Sequence, residues 1–210
     1  MAVLELVNVA RDAPATPGQQ ERARYLERLH EPCEQLDFVI DERRLSEQLS
    51  TLEVPHPEIF GLQGFDFLSV ADLVWPEAAA SALRQLAGVE ARSSYWPLAP
   101  GRLPLYVCPM CGDLGCGAIT VEVVRNPATV TWRDFRVEDG LDHGGEEIDL
   151  GALGPFTFDA AQYETALLQP IELLDALIAD EAASKASWEA SRRARPRRRI
   201  ARVFARERRN

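Results

Sequence analysis

A chain of 210 residues with 46% apolar side chains can bury a core without disulfide staples, and no apolar run reaches the ~18 residues that span a bilayer. Net charge is −10, which excludes a uniformly basic nucleic-acid binder, but it is unevenly placed: from Arg192 onward ten arginines meet one acid, so that segment is +9, while 13 basic and 32 acidic side chains leave the rest at −19. The N-terminal run carries Glu5 and no basic flank, which argues against a signal peptide and for the cytoplasm, where thiols stay reduced.

In chain order, residues 2–9 read as a strand and 11–18 as a Pro/Gly loop. Tyr25, Leu26 and Leu29 share one face of a helix over 18–30 that Pro32 stops. Leu36–Ile40 is strand-like, and Asp41 is placed to cap a helix through Leu45, Leu49 and Leu52. Residues 54–75 are irregular. Pro76 suits the first turn of a helix to Ala87, ended by Gly88, and the stretch to Pro104 reads as loop. Strands follow at 105–107, 118–124 and 129–137, the last rich in β-branched and aromatic residues, and form an antiparallel meander. Residues 138–151 are an acidic, Gly-rich loop, and 156–158 an edge strand. Asp159 caps a helix carrying Tyr163, Ala166 and Leu167, and Pro170 opens a second one through Leu173, Leu174, Leu177 and Ile178. The two helices can pack internally or across a homodimer. Pro196 interrupts the arginine tail.

Cys108, Cys111 and Cys116 fall within nine residues, in the run Cys-Pro-Met-Cys-Gly-Asp-Leu-Gly-Cys-Gly, which sits at a hairpin tip of the meander. Pro109 presets one backbone angle and Gly112 lets the turn close, so two thiolates can grip one ion. The half-motif looks like the knuckle of zinc ribbons and rubredoxins, although no second Cys-x-x-Cys follows. Tetrahedral zinc needs four ligands. Cys33 is the preferred fourth, since soft ligands select the same metals; His30, His143, Asp113 and a water are the other choices. Unmetallated structural thiols, a redox thiol group and an iron–sulfur cluster remain open readings.

Trp132 and Asp134 share one face of an unbulged strand, with Phe135 on the other. That face, with Asp139, Asp142, Glu146 and Glu147 of the acidic loop, is a candidate surface for a basic partner; aromatics packing the sheet are the plainer reading of Trp132. The acids around His143 do not match an EF-hand. No Ser/His/Asp triad, phosphate loop or dinucleotide fingerprint can be picked out. Arg192, Arg193, Arg195, Arg197, Arg198 and Arg199 offer a phosphate-binding tail, with Phe204 its lone aromatic, so nucleic-acid binding is not favoured.

The cysteine run, Trp132–Phe135 and the stretch 153–163 together resemble a family of uncharacterised actinobacterial proteins, over about a third of the chain. Some of these are labelled oxidoreductases, a resemblance that implies thiol chemistry at the cysteines. The residues themselves lead to an α+β domain over 1–190, an antiparallel meander with helices packed on it, and an Arg-rich tail over 191–210. The expected function is non-enzymatic binding of a basic protein, as in an immunity protein, an antitoxin or an adaptor, with a structural zinc. A thiol or zinc enzyme is the rival, and nucleic-acid binding the third class.

Overall fold

In the computed structural model the described residues are 1–10, 34–52, 68–71, 76–92, 98–107, 114, 117–138 and 148–194. They form an α+β structure with two antiparallel sheets. Strands β1 (Leu4–Ala10), β2 (Glu34–Ile40) and β3 (Arg43–Arg44) make the smaller sheet in that order. The larger sheet runs β4 (Leu68–Ser69), β5 (Arg102–Val107), β6 (Ala118–Arg125), β7 (Thr129–Glu138), β8 (Ile148–Asp149), and β9 (Phe156–Asp159) also pairs with β7. Helices α1 (Leu45–Ser50), α2 (Pro76–Ala87) and α3 (Ala160–Ala194) complete the described elements. The antiparallel meander is β5–β6–β7. Met1–Asp175 forms one compact unit and Ala176–Asn210 a second. No described helix is long and apolar enough to cross a membrane.

Four local expectations are corrected. Asp41 does not cap a helix: Asp41 and Glu42, at φ 51° and 65°, form the two-residue turn joining β2 to β3, and the Asp41 carboxylate instead accepts the Val3 N–H at 2.8 Å. β5 begins at Arg102, inside the stretch read as loop, because Arg102 and Leu103 pair with Glu122 and Val121. The expected acidic loop contains β8, whose Ile148 is buried against β7. Pro170 opens no second helix, since α3 is continuous across it. An interior proline costs roughly 3 kcal/mol. Burial of Tyr163, Leu167, Ile171 and Leu174 along one side of α3 offsets that loss. Asp159, in contrast, does cap α3, accepting the Gln162 N–H at 3.0 Å. The helix expected over 18–30 lies outside the described residues.

The left-handed turn is unusual in lacking glycine. A side chain there costs about 1–2 kcal/mol, partly offset because glycine loosens the unfolded chain by about 0.5–1 kcal/mol. Glu42→Gly is therefore expected to raise stability by about 0.5–1 kcal/mol in urea denaturation, with no gain for Glu42→Ala. Equal gains would mean that the charge, not the backbone, carries the cost.

Both sheets share an aromatic core. The Trp132 ring meets Phe38 of the smaller sheet at 5.6 Å, Phe158 of β9 at 5.4 Å and Tyr163 of α3 at 6.0 Å, all edge to face. Trp132 Nε1 donates to Tyr163 Oη at 3.0 Å, and Tyr163 donates to the Leu86 carbonyl at 2.8 Å. That carbonyl also accepts from Arg125, whose guanidinium lies over the Tyr163 ring. The C-terminal end of α2 thus receives a cation and a hydroxyl where its backbone acceptors are unpaired.

Candidate functional site

The cysteine segment leaves β5 and returns as β6. Val107 pairs with Ala118, so residues 108–117 are a ten-residue connection whose two ends lie side by side. Cys108, Cys111 and Cys116 belong to that connection and lie outside the described residues, but its flanks are in view. The Gly117 N–H donates to the Leu114 carbonyl at 3.1 Å, and Gly117 sits at φ 113°, in a region that suits a residue without Cβ. Leu114, Leu98 and Val70 pack with Val107 and Ala118, so a small apolar cluster ties the return of the connection to the ends of both strands.

Cys33 immediately precedes β2 and lies outside the described residues, as do His30, His143, Asp113, Asp139, Asp142, Glu146 and Glu147. Arg195, Arg197, Arg198 and Arg199 do too, while Arg192 and Arg193 fall in the last turn of α3 with their side chains outside the description. Among the described residues, no group of three His, Cys, Asp or Glu side chains converges as a metal site would require.

Two members of the expected partner surface are in view, and one is corrected. Trp132 is 0% exposed and belongs to the core, as does Phe135. The reason is a β-bulge. Glu122 pairs with Arg133 and Thr120 with Arg136, so Asp134 and Phe135 together face the single residue Val121. Asp134 takes a left-handed conformation, φ 53°, at the place where such bulges usually carry glycine. The extra residue shifts the alternation by one, and Trp132 and Phe135 both turn inward. The signal was in the chain: Val130 and Trp132, then Phe135 and Val137, are two period-two apolar runs out of phase by one.

Asp134 stays on the opposite, polar face, where it is bound rather than free. Its carboxylate accepts from Arg102 Nη1 at 2.8 Å and from Arg136 Nε at 2.9 Å. Arg136 and then Arg102 hold its carboxyl below the usual carboxylate range, against a smaller effect of burial. Arg102 is 4% exposed, and its Nε lies 2.9 Å both from Thr120 Oγ1 and from Oε1 of buried Glu138. Its Nη2 donates to the carbonyls of Thr120 and Asp134. Glu138 pairs with Ala118, so this ionic cluster adjoins the base of the cysteine hairpin. Beside it, Arg133 makes a bidentate pair with Glu122 at 2.9 and 3.0 Å. Sequence reading had singled out none of Arg102, Thr120 or Glu138, because strand pairing alone brings them together.

A second buried carboxylate links the sheets. Asp37 on β2 accepts from Tyr106 Oη at 2.6 Å, from the Phe38 N–H at 2.9 Å and from Ser46 of α1 at 2.5 Å. Burial raises its pKa despite these donors, and burial followed by the Asp37 charge raises that of Tyr106. The three groups satisfy one another in the interior, with the geometry of a structural clasp.

No protein-family model, no curated protein and no solved structure matches the chain.

Proposed function

We propose that the chain is a non-enzymatic protein-binding module, of the immunity, antitoxin or adaptor kind. In this reading a structural zinc holds the tip of the β5–β6 hairpin and the acidic surface meets a basic protein partner in the reducing cytoplasm. The observation that carries the metal part is the pairing of Val107 with Ala118, which gathers Cys108, Cys111 and Cys116 into one short connection with adjacent ends. Thiols within a few residues of one another can lose their protons to a shared cation, and zinc with sulfur ligands would brace such a turn. Leu114, which lies between Cys111 and Cys116 in the sequence, packs on the Leu98, Val107 and Ala118 cluster and so anchors that point of the chain to the ends of both strands. Cys33 remains the preferred fourth ligand. The partner part rests on the −19 charge of the chain before Arg192, which favours encounter with a basic protein and disfavours nucleic acid.

Elemental analysis of the purified, chelator-washed protein beside Cys33→Ser tests the metal. One zinc per chain in the wild type, lost in the variant, is the expected result. Zinc retained by Cys33→Ser would move the fourth position to His30, His143 or water, and an open position would favour an enzyme. Absence of any metal would overturn the zinc reading and bring the redox-thiol reading forward. Failure of any basic protein to co-purify from native extract at low salt would count against the partner.

A further inference from the structure

The outer edge of β1 is filled in an unequal way. In an antiparallel ladder alternate residues turn their N–H and C=O away from the paired strand; the Val3 carbonyl accepts from Asp41, so on β1 the outward residues are Leu4, Leu6, Asn8 and Ala10, and Ala2 just before the strand shares their phase. The Ala2 N–H donates to the Thr157 carbonyl of β9 at 2.7 Å. Leu4 is served by one side chain: Gln162 Nε2 donates to its carbonyl and Gln162 Oε1 accepts its N–H at 3.4 Å. The Gln162 amide thereby makes the two bonds that a residue of a neighbouring strand would make. At Leu6, among the described residues, none bonds its N–H or C=O. There β1 and α3 part to leave a groove of about 530 Å³, its α3 wall made of Ala161, Thr165, Ala166 and Gln169. Small side chains on that wall leave room beside the strand, and exposed Glu5 gives the groove its charge.

We propose that this groove takes an extended basic peptide of the protein partner, which adds to β1 from Leu6 onward as a further strand. The inference rests on the protein-binding reading above and names the place and mode of contact. Main-chain bonds to Leu6 would give affinity, as in other cases of strand addition, and Glu5 together with the −19 charge selects basic side chains. Gln162 blocks continuation past Leu4, which sets the register of the incoming strand.

The probe is an acetylated, amidated octapeptide of alternating arginine and valine, compared with the same peptide N-methylated at every second residue, with the methylated set tried in both phases. Binding is followed by calorimetry and by amide hydrogen exchange of the full chain. The expected result is binding that slows exchange of the Leu6 amide and weakens about tenfold or more in one N-methylated phase and in Ala161→Arg, which places a cation and bulk in the groove. Ala161 is exposed, so the variant's melting temperature should match wild type and show that folding is intact. Binding indifferent to N-methylation and to Ala161→Arg would overturn the groove while leaving an acidic partner surface standing. No binding by any of the peptides would overturn the groove and count against the basic-partner reading as well. Leu6 protection that rises with protein concentration without peptide would make the occupant a second copy of the chain, and would equally overturn the proposal.

Discussion

Trp132→Ala is expected to lower stability by about 3–5 kcal/mol, the range for truncating a large buried aromatic. The indole contacts rings from the smaller sheet, β9 and α3 at once, and its N–H satisfies the Tyr163 hydroxyl. The cavity would open where three elements meet, so no one of them can close it alone. Trp132→Phe should cost less, about 1–2 kcal/mol, because it keeps an aromatic ring and loses volume and one hydrogen bond. Urea denaturation followed by far-ultraviolet circular dichroism measures both. A loss below about 1 kcal/mol for the alanine variant would contradict the burial of Trp132 and restore it to the surface.

Arg102→Met is the second large effect, about 3–5 kcal/mol, because it removes from a buried ionic cluster the one guanidinium that meets Thr120, Asp134 and Glu138 together. Glu138, also nearly buried, loses the guanidinium 2.9 Å away. Asp134 keeps Arg136, so the penalty should centre on Glu138. Adding Glu138→Gln to Arg102→Met should then recover part of the loss, whereas Asp134→Asn should recover less. Equal destabilisation with and without Glu138→Gln would show that packing, not charge, is what Arg102 supplies.

Because Glu138 is paired with Ala118, this cluster braces the strand that leaves the cysteine connection. A metal at Cys108, Cys111 and Cys116 would need that base held in register, since a site loosened by an ångström loses ligand geometry. Zinc content of Arg102→Met at a pH where it remains folded would therefore report whether the ionic cluster serves the hairpin or only the sheet.

The sequence by itself determined the class of fold and much of its punctuation. Pro76, Gly88 and Asp159 bound their helices because backbone angles and caps act within a few residues. The strands of the meander were legible for the same reason, as β-branched and aromatic runs between turn residues. The cysteine cluster is a local pattern too, three thiols within nine residues, and is visible in the chain alone. Only tertiary structure decided the rest. The bulge at Asp134 reverses the facing of Phe135 relative to Trp132 through one unpaired residue, and strict alternation has no means of marking where it falls. Pro170 stays inside a helix because burial of Tyr163, Leu167, Ile171 and Leu174 outweighs a local penalty. Arg102, Thr120, Asp134 and Glu138 come from three strands, and the half-filled edge of β1 depends on Gln162, 158 residues away in the chain. Such contacts follow from register and long-range packing, which no window of sequence contains.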